Sequence, residues 1–232
     1  MIKFLSLWFT LISCTCWSQT SKYILPKQYN RLSILYPYNG HYHTPAYSYD
    51  TLKDGIWVQF FESDPSKPAL AWSINNGKQE GAEYFVSLTG LIERVNHYDK
   101  GVLVGGLHYY DNGIKKDSIR YSPDYENKYL MSWYFNGKIR NVVKHDLQEY
   151  WYESGQKKFE KRFNTKGQLN GEILYWDEEG QIKYRGQWAN GEPKESYFRR
   201  SKNGKLLRMD FKKIPKRYRF QIVSNALMKT LN

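Results

Sequence analysis

The chain predicts an all-β fold: an elongated antiparallel meander of stacked β-hairpin repeats, closed by a short C-terminal capping helix. Three observations carry this. Turn glycines recur at Gly90, Gly113, Gly137, Gly155, Gly180 and Gly204, at spacings of 23, 24, 18, 25 and 24 residues, and a period in that range marks a repeat array. Between the turns, apolar and polar residues alternate with the period of two that sets one strand face against a core. Eight residues after its glycine, each unit returns to one place, held by Tyr98, Tyr121, His145, Phe163, Trp188 and Lys212. Four of those six are aromatic, and His145 is read as a core residue.

Composition sets the limits. With 232 residues the chain makes one large or two small domains. Hydrophobic residues at 41% and aromatics at 17% supply a core built mainly of Tyr, Trp and Phe, which excludes disorder throughout. Against 35 Lys and Arg stand 23 Asp and Glu, a net charge of +12. That balance favours acidic partners, although a solvated basic surface has the same signature.

Residues 1–18 predict an export signal. Lys3 provides the positive charge, and 4–12 form an apolar run too short to span a bilayer. Cleavage is placed between Ser18 and Gln19, an ending that resembles signal peptides of Bacteroidetes-type bacteria. Residues 11–14, Leu-Ile-Ser-Cys, also resemble a lipobox, and the alternative is lipidation of Cys14. Either way the location expected is the periplasm, the outer membrane or the outside of the cell. Both cysteines, Cys14 and Cys16, lie in this segment, so simple cleavage leaves a chain held by packing rather than disulfides.

Residues 19–51 read as a polar and aromatic lead-in, punctuated by Pro26, Pro37 and Pro45, that covers the first sheet edge. The array is expected over 52–213 in about seven units. The first has a strand at 55–61, a turn at 63–66 and a return strand before Asn76-Gly77. The second runs over 81–101, the third opens at Gly105-Gly106, and the fourth carries Trp133, Tyr134 and Asn136-Gly137. The fifth and sixth fill 147–192, the clearest copies, and the seventh spans 195–213. In the sixth, alternation sets Ile182, Tyr184, Gly186 and Trp188 on one face and Gln181, Lys183, Arg185 and Gln187 on the other. A lone hairpin is not stable in water, so each unit needs its neighbours. About 14 strands at ~4.8 Å give a sheet roughly 65 Å long. Over 214–232, Pro215 at a first helical position and Ile222, Val223, Ala226, Leu227 and Leu231 at helical spacing predict the helix that caps the last hairpin.

The pattern of Gly106 to Gly113, with its Tyr109-Tyr110-Asp111-Asn112-Gly113, and of Gly171 to Gly191 resembles the MORN-type repeat. More closely it resembles the MORN variant of YwqK-like bacterial proteins, over roughly 52–213. The first unit departs from that pattern by an insertion around Pro65, and the fourth lacks its opening Gly. The resemblance implies an all-β hairpin array. It also implies roles seen in such families: antitoxin components, scaffolding and membrane association.

No catalytic constellation is expected: there is no nucleophile elbow, P-loop or zinc-protease motif. His41 and His43 have metal-ligand spacing without a third ligand, and Asp177, Glu178 and Glu179 read as turn residues. No cofactor or metal is expected. The expected function is non-enzymatic binding of a macromolecular partner, a protein first of all; the alternative is a cell-envelope glycan or anionic lipid. Nucleic acid is set aside because of export. The candidate contact residues are Lys212, Lys213, Lys216, Arg217, Tyr218 and Arg219, where cations adjoin an aromatic ring.

Overall fold

The computed structural model describes residues 22–31, 52–121, 128–199 and 204–223. Cys14, Ser18, Gln19, His41, His43 and the helical positions 226, 227 and 231 lie outside them. The first strands are β1 (Asn30–Arg31), β2 (Gly55–Phe60), β3 (Pro68–Asn75), β4 (Lys78–Gln79), β5 (Gly81–Val86) and β6 (Ile92–Asp99). Next come β7 (Val102–Tyr109), β8 (Lys115–Tyr121), β9 (Lys128–Trp133), β10 (Ile139–Val143) and β11 (Leu147–Trp151). The last are β12 (Lys157–Arg162), β13 (Gly171–Trp176), β14 (Ile182–Ala189), β15 (Glu192–Phe198) and β16 (Leu207–Arg208). A 3₁₀ turn (Phe211–Lys213) and helix α1 (Lys216–Val223) follow.

Among the described residues these strands form one open sheet in chain order, with β4 alone off the path, paired to β3. Every pairing is antiparallel except β1 with β2. The meander is therefore as expected, with sixteen strands for about fourteen because β1, β4 and β16 are two-residue pieces.

Two turn types join most of the hairpins among the described residues, and glycine serves them differently. In the turn after β7, Gly113 N–H donates to Tyr110 O at 2.9 Å and Tyr110 N–H to Ile114 O at 2.8 Å. Gly113 alone has positive φ, +78°, which is a type I turn closed by a glycine bulge. The turns beginning at Ser87, Tyr134, Tyr152, Asn164 and Asp177 repeat this pair of bonds. By contrast Asn76-Gly77, Lys100-Gly101 and Asn190-Gly191 have positive φ at both residues, the two-residue type I′ turn that suits strand twist.

After five of the glycine-bulge turns the pairing slips by one residue. In the sixth unit Ile182 faces Trp176, yet Tyr184 faces Tyr175. The same shift follows Gly90, Gly113, Gly137 and Gly155. Here two residues oppose one, which reverses the alternation. The simple reading is therefore corrected: Ile182 lies with Trp176 on the face opposite Tyr184. Lys183 is on the Tyr184 side, its Nζ 5.4 Å from the Phe198 ring. Beyond the bulge the expected alternation holds, with Tyr184, Gly186 and Trp188 buried and Arg185 and Gln187 exposed.

Two more expectations are corrected. His145 is exposed in the β10–β11 turn, because the 18-residue unit runs out of strand before its eighth position. Gly105 and Gly106 are buried inside β7 rather than opening a hairpin. A Cβ on Gly105 would sit 2.7 Å from Ile119 O, so a bare backbone is needed there. As expected, a short helix follows the last hairpin, and α1 covers that hairpin by folding back over the sheet. Ile214 and Ile222 are buried with Phe159, Ile173, Tyr175, Tyr184, Trp188 and Phe198. Pro215 stands one place before the helix, its carbonyl accepting from Tyr218 N at 2.9 Å.

We call the side under α1 the helix face. One register row runs along it through Leu70, Phe85, Arg94, His108, Asp117, Ser132, Asn141, Tyr150, Phe159, Tyr175, Tyr184 and Phe198. Lys161, 3% exposed, lies in the next row and donates to Gln221 O of α1 at 2.7 Å. Burial pulls its ammonium pKa down to about 8. At the other end both faces are filled: Trp72, Ile74 and Phe85 on the helix face, Val58 and Ala71 beneath Tyr23 and Leu25 on the far face.

Candidate functional site

The bulge that reverses alternation also lines up cations. The third residue after the turn glycine is Lys116, Arg140, Lys158 and Lys183 in four consecutive units. Each belongs to a bulge of equivalent register, on β8, β10, β12 and β14. Lys116 and Arg140 are exposed, Lys158 and Lys183 half-buried.

Tyrosines stand beside them. Tyr110, Tyr134 and Tyr152 open three successive turns, and each hydroxyl reaches one unit onward. Tyr110 donates to Trp133 O at 2.9 Å, Tyr134 to Trp151 O at 2.7 Å and Tyr152 to Trp176 O at 3.0 Å. The turns are stitched too: Asn112 Nδ2 donates to Phe135 O at 3.3 Å and Asn136 Nδ2 to Glu153 O at 3.2 Å. Rings and backbone are thus fixed before any partner arrives, which lowers the ordering cost of binding.

Cations lie against these rings. Lys116 Nζ is 5.9 Å from the Tyr110 ring centre and Lys158 Nζ 4.9 Å from that of Tyr152, within cation–π range. Burial above all, then the hydrogen bond to Tyr175, holds the Tyr152 hydroxyl far above the ordinary tyrosine range. Burial lowers the Lys183 ammonium, and the Arg199 and Arg217 guanidiniums lower it further. Arg199 is occupied, bonded to Asp177 and Gln181. Arg217 belongs to α1, so the helix extends the line of cations past Lys183.

The six residues singled out from the sequence divide accordingly. Lys212 and Lys213 are exposed in the 3₁₀ turn, and Lys216 and Arg217 are exposed at the start of α1. Arg217 lies over the Tyr218 ring at 4.7 Å. Tyr218 is half-buried between Tyr175 and Phe198, with centroids 5.7 and 5.2 Å away. Arg219 donates through Nε to Ile214 O at 2.9 Å, so both these residues hold the helix in place. None of Lys116, Arg140, Lys158 and Lys183 is among the six contact residues chosen from the sequence, although Lys158 belongs to a basic cluster with Lys157, Lys161 and Arg162 on the fifth unit. Their signal was a cation three residues after four turn glycines, masked by an alternation rule that ignores bulges.

The far face holds a more closed arrangement. Lys157 Nζ lies 5.7 and 5.9 Å from the Trp151 and Trp176 rings and pairs with Glu149 at 2.5 Å and Glu160 at 2.8 Å. Its charge is spent within the sheet. On the helix face His108 Nδ1 meets Asp117 Oδ1 at 2.9 Å, while Ser132 bonds to Asn141. Asp117 stands between His108 and Ser132 in the row, so histidine is not placed to activate the serine. Among the described residues no three His, Cys, Asp or Glu gather as metal ligands. No helix among them is long and apolar enough to cross a membrane.

No protein-family model and no curated protein matches this chain. Among solved structures, a crystal structure of an S. aureus TarM mutant in complex with fondaparinux, alpha-GlcNAc-glycerol and UDP aligns at TM-score 0.24 and 11% identity. The alignment covers 51% of this chain and 22% of that one, a likeness that carries no argument about fold or function.

Proposed function

We propose that the chain is an exported, non-enzymatic scaffold of MORN-like hairpin repeats that holds a macromolecular partner along its cation–tyrosine track. The supporting observation is repetition of one surface feature. Four consecutive bulges carry a cation at the same place, and three of them adjoin a tyrosine pinned to the next unit. Tyrosine and arginine are common anchors in recognition surfaces. A regular line of anchors suits a partner that is itself extended. The antitoxin role implied by the resemblance is one form of the same activity, in which the partner is a protein.

The direct test compares the chain with a variant carrying Lys116→Gln, Arg140→Gln and Lys158→Gln in capture from envelope extract. Species held by the first and lost by the second support the reading; identical capture by both counts against it. A second reading, docking on anionic lipid, draws on Phe220 and Val223, 69% and 49% exposed, beside Lys212, Lys213, Lys216 and Arg217. Sedimentation with phosphatidylglycerol vesicles at low salt tests it, and no binding there sinks it.

A further inference from the structure

Resting on the scaffold reading, we infer that the track takes a linear acidic polysaccharide with one carboxylate per disaccharide. The argument begins with spacing. Successive cations sit two strands apart, so at ~4.8 Å per strand the step is about 9.6 Å and four cations span roughly 29 Å. An extended acidic peptide presents same-side carboxylates about 6.8 Å apart, two residues at ~3.4 Å each, and falls out of step with the track. A nucleic acid strand in a duplex carries charge every ~3.4 Å, much denser than these cations. Two pyranose rings in an extended glycan cover close to one step, so a polyuronate repeating its carboxylate once per disaccharide stays in register.

The surface between the cations fits the same ligand. Sugar rings present apolar C–H faces that pack on aromatic rings. Phe135, 54% exposed, packs edge-on against Tyr110 at 5.3 Å between the Lys116 and Arg140 positions. The nearby Asp177 carboxylate is paired with Arg199, and the Asp117 carboxylate is in contact with His108 Nδ1 at 2.9 Å, so each already has a partner. Lys116, Arg140 and Lys158 appear in no ion pair among the described residues, whereas Lys157, one residue from Lys158, has two. Linked weak contacts at a fixed interval also make binding depend on ligand length, because each further carboxylate engages at high effective concentration.

The test uses the folded full-length chain and defined polymers: uronate oligomers with alternating neutral and acidic sugars, neutral gluco-oligomers, and polyglutamate of matched charge. Calorimetry or anisotropy is expected to show uronate affinity climbing with length until four cations are spanned. Each of Lys116→Gln, Arg140→Gln and Lys158→Gln is expected to weaken it by about fivefold, the effect of ~1 kcal/mol per cation. Lys158→Arg is expected to retain binding, and unchanged circular dichroism establishes that the variants fold. Equal affinity for polyglutamate overturns the glycan assignment while leaving an extended anionic partner in place. Uronate binding unaffected by the triple variant overturns the site. If no polymer binds but extract capture still depends on the three cations, the glycan fails and the scaffold reading stands.

Discussion

One register row crosses the helix face, and its two halves differ sharply. From Tyr150 through Phe159, Tyr175 and Tyr184 to Phe198 it is aromatic, and much of it is buried under Ile214, Tyr218 and Ile222. From Arg94 through His108, Asp117 and Ser132 to Asn141 it is polar, and its His108 side chain is 43% exposed. Both halves obey the same strand register. What separates them is cover: the aromatic half lies beneath a segment that returns from the C-terminus, while the polar half is held by its own cross-strand hydrogen bonds. A repeat array thus needs no uniform core. Each unit adapts its inward residues to whatever lies above it.

Breaking the covered half has the largest expected effect. Tyr184 is fully buried and bonded to Trp188 Nε1 at 2.9 Å, so Tyr184→Ala is expected to cost about 3–5 kcal/mol in urea unfolding. A loss under 1 kcal/mol would show that α1 does not seal this row.

Lys161 sharpens the comparison through pH. Its folded pKa, lowered to about 8 from 10.5 by burial, means that the unfolded chain binds more protons between those values. Stability must then rise as pH goes from about 8 to 10.5, by on the order of 3 kcal/mol. Below pH 8 both states are protonated, and the full cost of burying the charge remains. Lys161→Met should erase that rise and match or exceed wild-type stability at pH 7; an unchanged pH profile would place the ammonium in water.

Removing one inter-unit tie is a smaller break. Tyr134→Phe loses the bond to Trp151 O and is expected to cost about 1 kcal/mol. Faster amide exchange confined to the turns around 134 and 152 would locate the loss. The smallest effect belongs to the uncovered half, where His108→Ala is expected to stay within about 0.5 kcal/mol of wild type because its contact with Asp117 is solvated. A loss near that of Tyr184→Ala would erase the distinction between the halves.

Much of the architecture was legible because its causes are local. Asn-Gly and related turns announce hairpins, and Tyr184 with Trp188 announces the buried side of a strand. The bulges were not legible: they depend on how a three-residue turn feeds two strands, and they moved Ile182 and Lys183 to faces that alternation does not assign. Lys212 and Arg217 stood out as a dense cluster, whereas Lys116, Arg140 and Lys158 are scattered in sequence and converge only when strands stack.

Residue order alone specified the hairpins, their period and the buried aromatics Tyr184 and Trp188 of the sixth unit, since turn conformation and period-two alternation act over a few residues. Packing between distant segments set the rest. It laid α1 over β12–β15, buried Lys161 against Gln221 O, left the polar half of the row partly exposed and joined four separate cations into one track. Those outcomes depend on contacts between segments tens of residues apart, which no local pattern encodes.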